Sequence, residues 1–166
     1  HLAKHILLGK ICFYLNYMNQ TKVVNSCMMF RKNTHIDNGL YFTTHHPNIA
    51  IDWAYYLRFS LVSQIGGLNE VLVRLDRRPE RNSITQNRIN YNNAARELLK
   101  NFKYEFPKII SRKHYRYALN TQRLIELGHY VGVSFILYIT LYIFINPFEK
   151  RYYYYYIKRL RRFFRL

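Results

Sequence analysis

Residues 130–148 read Tyr-Val-Gly-Val-Ser-Phe-Ile-Leu-Tyr-Ile-Thr-Leu-Tyr-Ile-Phe-Ile-Asn-Pro-Phe, and none of these side chains is charged. The stretch is long enough to cross a bilayer. Its residues are mostly β-branched and aromatic, the types that favour strands. A bend near Thr140 would let two strands meet, although no Gly or Asn marks a turn there. The composition therefore predicts buried strands within 131–146, in preference to a membrane span.

The segments just before this stretch read as helices. Ala118, Thr121, Leu124 and Ile125 predict a helix over 114–127, with Gly128 as its stop, because glycine accepts left-handed geometry. Ser83-Ile84-Thr85-Gln86 is a capping-box pattern that satisfies free amides at a helix start. Ala94, Ala95, Leu98, Leu99 and Phe102 follow at helical spacing and predict a helix over 84–102. Pro107 blocks its continuation. The expected fold is α+β: two helices with a small antiparallel sheet, plus long N-terminal and basic C-terminal extensions. The expected divisions are an idiosyncratic region 1–82, an α+β core 83–148 and a basic aromatic tail 149–166.

The N-terminal region is less regular. Positions 7, 8, 11, 14 and 15 are apolar at helical spacing, but His1, Lys4, His5 and Lys10 interrupt any membrane span. Residues 31–50 read as loop, with a turn at Asp37-Asn38-Gly39. Residues 49–62 are apolar around Trp53, which is most simply core, and Gly66-Gly67 breaks that element.

Charge gives the functional direction. The chain has 166 residues, with 26 Lys and Arg against 9 Asp and Glu, a net charge of +17. It is also 49% hydrophobic and 17% aromatic, which argues against intrinsic disorder. A foldable chain this basic points to a polyanion: nucleic acid or an anionic membrane surface. Cys12 and Cys27 are the only cysteines, which excludes a disulfide scaffold and a Cys-based zinc site.

The basic groups fall in three patches. The tail carries Lys150, Arg151, Lys158, Arg159, Arg161, Arg162 and Arg165, interleaved with Tyr152–Tyr156, Phe163 and Phe164. Cations neutralise phosphates, and aromatic faces stack on exposed bases. A second patch, Arg74, Arg77, Arg78 and Arg81, surrounds Pro79. A third includes Lys113 and Arg116. Separate patches suit a chain wrapped by a large polyanion.

Catalysis finds no comparable pattern. The seven histidines have no metal-demanding spacing, and no Gly-x-Ser-x-Gly elbow surrounds a serine. Gly66-Gly67 is not followed by a phosphate-loop lysine. The expectation is a protein that is not an enzyme, with no cofactor, no metal and no small-molecule substrate.

Short motifs then resemble ribosomal families. Gly128-His129-Tyr130-Val131 with Phe135 resembles the Gly-aromatic-Ile turn of small-subunit ribosomal protein eight. Ile157-Lys158-Arg159-Leu160-Arg161-Arg162 resembles its Ile-Lys-Arg-Ile-Ser-Arg segment, and Leu98-Leu99-Lys100-Asn101 resembles the end of its first helix. This likeness covers residues 88–166. Locally, Arg123-Leu124-Ile125-Glu126-Leu127-Gly128-His129-Tyr130-Val131-Gly132 is similar to a segment of small-subunit ribosomal protein thirteen. Either resemblance implies a structural constituent of a small ribosomal subunit that binds rRNA and neighbouring ribosomal proteins. The abundance of Tyr, Phe, Asn, Ile and Lys is typical of AT-rich codon usage and points to a mitochondrial, organelle-encoded chain. The alternative expectation is a membrane-embedded accessory subunit of an inner-membrane respiratory or ATP synthase complex, with a span near 130–148.

Overall fold

The computed structural model describes residues 5–7, 9–20, 28–40, 50–67, 71, 73–74 and 88–163. In chain order the elements are β1 (His5–Leu7), α1 (Gly9–Asn19), α2 (Lys32–Asp37), α3 (Ile51–Val62), β2 (Ile65–Gly67), α4 (Arg88–Glu105), α5 (Arg112–Leu127), α6 (Gly132–Ile145) and α7 (Lys150–Phe163). Among the described residues the only sheet is a short antiparallel ladder of β1 and β2, with His5 opposite Gly67 and Leu7 opposite Ile65.

The α+β expectation is therefore overturned: the chain is mostly helical, and the strands expected within 131–146 are one helix, α6. Strand propensity lost to two other effects. A continuous helix satisfies its interior backbone amides within itself, whereas two strands would need a tight turn that the sequence does not encode. In addition, Phe135, Ile139 and Tyr142 are the buried residues of α6, at helical spacing, and they meet α7. Because the rest of α6 is also apolar, this period is invisible in the sequence. At 14 residues α6 is about 21 Å long, short of the ~30 Å hydrocarbon core. No helix among the described residues is long and apolar enough to cross a membrane.

The chain forms two compact units, His1–Ala118 and Leu119–Leu166. In the first, α1 packs closely against α3. A Cβ at Gly9 would sit 2.2 Å from the Ser60 and Ser63 carbonyl oxygens, so only glycine allows this approach. The buried face of α1 is Cys12, Phe13, Asn16 and Tyr17, while Ile11 and Leu15 face solvent. The apolar spacing in the sequence thus points to the wrong face of this helix.

Helix α4 buries Ala94, Ala95, Leu98, Leu99 and Phe102, the stripe expected from the sequence, and extends to Glu105. The capping-box segment 83–86 lies outside the described residues. Tyr17 Oη donates to the Leu99 carbonyl at 2.8 Å, tying α1 to α4, and burial pushes the Tyr17 hydroxyl pKa up. Arg58 of α3 forms a forked pair with Glu105, with distances of 3.0 and 2.7 Å, and lies over the Phe102 ring. Residues 32–37 form α2 where loop was expected. The Asp37-Asn38-Gly39 turn that follows has Gly39 at φ +58°.

The second unit comprises the C-terminal part of α5 with α6 and α7. Tyr142 lies against Tyr152, and Phe135 against Tyr155 and Tyr156, so α6 and α7 run antiparallel. Leu127, Phe135, Ile139, Tyr142 and Tyr152 form the core. Helix α5 stops at Leu127, next to Gly128 as expected, but for a different reason. Among the described residues the positive-φ glycines are Gly39 and Gly132, not Gly128. Gly128 serves by size: a Cβ there would stand 3.0 Å from the Ile125 carbonyl.

Candidate nucleic-acid interface

The basic tail is a helix, and its period sorts its side chains. On α7, Lys150, Tyr153, Tyr154, Ile157, Lys158 and Arg161 are exposed, while Arg151, Tyr155, Tyr156, Arg159 and Leu160 are partly covered and Tyr152 is fully buried. The exposed positions recur at i, i+3, i+4, i+7, i+8 and i+11, which is one helix face. This face spans about 17 Å along the axis. It alternates cations with aromatic rings, and Tyr154 is 68% exposed.

The opposite face is engaged inside the unit. Arg151 donates to both carboxylate oxygens of Glu149 at 2.8 Å and to Thr121 Oγ1 at 2.9 Å. Glu149 also accepts from Asn120 Nδ2 at 2.8 Å. The hydrogen bonds from Arg151 outweigh partial burial and hold the Glu149 carboxyl at a pKa of about 2, well below its ordinary 4.5. Asn120 Oδ1 in turn accepts from Tyr152 Oη at 2.9 Å and from Arg123 at 3.2 Å. Glu149 also accepts weakly from the Arg151 amide in the first turn of α7, where the helix dipole favours an anion.

Arg159 reaches the end of α5. Its guanidinium donates to the Leu127 carbonyl at 2.9 Å and to the Tyr130 carbonyl, and lies 4.4 Å over the Phe135 ring. A cation is favourable at a helix C-terminus, and the fork satisfies carbonyls that the helix leaves open. Of the tail candidates, Arg151 and Arg159 thus serve packing, while Lys150, Lys158 and Arg161 face outward. Arg162 lies in the last turn of α7. Arg165, Arg77, Arg78 and Arg81 lie outside the described residues.

Lys113 and Arg116 are exposed in the first turns of α5, within the first unit, together with Arg112. Ser111 caps that helix, accepting from the His114 amide at 3.1 Å. No acidic residue lies in the first turn of α5. Cations at the positive end of a helix dipole destabilise the isolated helix, and a bound phosphate removes that conflict.

Sequence reasoning treated all tail cations alike and missed the polar network beneath them. Glu126, only 2% exposed, accepts from Gln122 Nε2 and from Tyr142 Oη, both at 3.0 Å. Part of the signal was present: Gln122 and Glu126 stand at i, i+4, and 159 differs in helical phase from 150, 158 and 161, whereas 151 shares the phase of 158. Among the described residues no three His, Cys, Asp or Glu side chains converge on a position that could hold a metal ion. No family model matches the chain, and no curated protein or solved structure matches it either.

Proposed function

We propose that this chain is a structural, non-catalytic RNA-binding protein, a constituent of the small subunit of a mitochondrial ribosome. The observation that carries this reading is the exposed face of α7, where Lys150, Lys158 and Arg161 alternate with Tyr153 and Tyr154. The cations meet phosphates and release counterions, and the rings stack on unpaired bases. The exposed cations at the start of α5 give a second phosphate contact. The net charge of +17 and the short ribosomal motifs support the same reading. Its partners would be rRNA and neighbouring ribosomal proteins.

The test is gradient sedimentation of a detergent-solubilised organelle extract, following this chain by mass spectrometry. The chain should co-migrate with small-subunit rRNA and shift to light fractions after nuclease treatment. Migration with respiratory complexes, unchanged by nuclease, would contradict the reading.

A further inference from the structure

Helix α6 presents a second surface of opposite character. None of its residues is charged. Val133, Ile136, Leu137, Leu141 and Phe144 are exposed, Phe144 to 85%, and Phe148 just beyond the helix is 91% exposed. At about 100° per residue, the exposed positions of α6 sweep roughly 200° of its circumference. A helix packed on a protein core needs an apolar stripe of only about 100°. A patch this large on a free surface marks a site of contact.

We propose that α6 docks on an anionic lipid surface, with its apolar half-cylinder seated at the boundary between headgroups and acyl chains. Three observations select this occupant. A second copy is opposed by charge, because each chain carries +17. Nucleic acid is opposed by chemistry, because the face offers only the Tyr138 and Thr140 hydroxyls and no cation for phosphate. A bilayer interface accepts a half-cylinder and does not require the helix to span it. Charge complementarity completes the fit. Lys150, close behind Phe148 in sequence, is exposed, and the chain as a whole carries +17. This positive balance attracts anionic headgroups to an inserted apolar face. The inference rests on the apolar face of α6, which the RNA reading does not use.

The test is flotation of the purified full-length chain with vesicles of phosphatidylcholine alone or mixed equally with phosphatidylglycerol. The chain should float with the mixed vesicles and bind pure phosphatidylcholine about tenfold more weakly. A Leu137→Asn/Phe144→Asn variant should bind the mixed vesicles at least about tenfold more weakly, because two large apolar side chains no longer insert. Both positions are exposed, so circular dichroism should show unchanged helix content, and affinity for an RNA oligonucleotide should also be unchanged. Three results would overturn the proposal: no flotation of the unaltered chain with the mixed vesicles, equal flotation of the variant, or sedimentation showing a dimer that the variant converts to monomer.

Discussion

Replacing Arg159 with alanine separates the packing role of this cation from the surface role of its neighbours. Its guanidinium makes hydrogen bonds to two carbonyls at and beyond the end of α5 and covers the Phe135 ring. Each hydrogen bond to a charged group contributes about 1.5 kcal/mol at the low end of the usual range. The cation–π contact adds roughly 0.5–1 kcal/mol. Truncation should therefore cost roughly 3.5–4 kcal/mol in the second unit. With a urea dependence of about 1–3 kcal/mol/M, the midpoint of the unfolding curve should fall by roughly 1–4 M, read by far-ultraviolet circular dichroism. Lys158→Ala, one residue away on the exposed face, should change stability by less than about 0.5 kcal/mol. The RNA readout should invert, with the Lys158 variant losing affinity directly. Equal unfolding midpoints for the two variants would refute the division of α7 into an inner and an outer face.

Two further perturbations probe the packing. Glu149 is held at a pKa of about 2 in the folded chain against an ordinary 4.5, so it is a depressed carboxylate. Its contribution to stability is fully present above pH 4.5 and is lost as pH falls toward 2. Urea midpoints measured across that window should fall for the unaltered chain, and Glu149→Gln should abolish Glu149's part of that fall; an identical pH dependence in the variant would contradict the pairing. Gly9→Ala places a methyl 2.2 Å from two backbone carbonyls, which forces α1 and α3 apart. It should destabilise the first unit by at least about 2 kcal/mol, seen as a lower thermal midpoint, and a neutral effect would mean that the two helices are not in close contact.

How far the sequence is legible depends on contrast between faces. Helix α4 is legible because Ala94, Ala95, Leu98, Leu99 and Phe102 stand out against polar neighbours. Helix α6 is not, because Val133, Leu137 and Phe144 outside are as apolar as Phe135 and Ile139 inside. Uniform hydrophobicity erases the period and leaves residue propensity as the only signal, which here favours strands. In α1 the period is visible but its phase misleads, because Asn16 is buried by bonding its amide to the Cys12 carbonyl while Ile11 and Leu15 remain outside.

The candidate interface was legible in composition and not in arrangement. Basic and aromatic residues in the tail are plain to read. That Arg151 and Arg159 turn inward follows from partners about 30 residues away in sequence, Thr121 and the Leu127 carbonyl. The helical period of α7 carries that division for Arg159, which lies about 20° from buried Tyr152, and not for Arg151, which lies about 20° from exposed Lys158.

The central claim, that the outer face of α7 binds RNA, is tested most directly by the salt dependence of binding. A Lys150→Gln/Lys158→Gln/Arg161→Gln variant keeps the helix and removes only exposed charge. Affinity for a single-stranded RNA oligonucleotide should be measured by fluorescence anisotropy over a range of salt. Each lost phosphate contact lowers the slope of log K against log salt by about 0.7, so the variant should lose about two units of slope as well as affinity at low salt. Unchanged slope and affinity would contradict the claim.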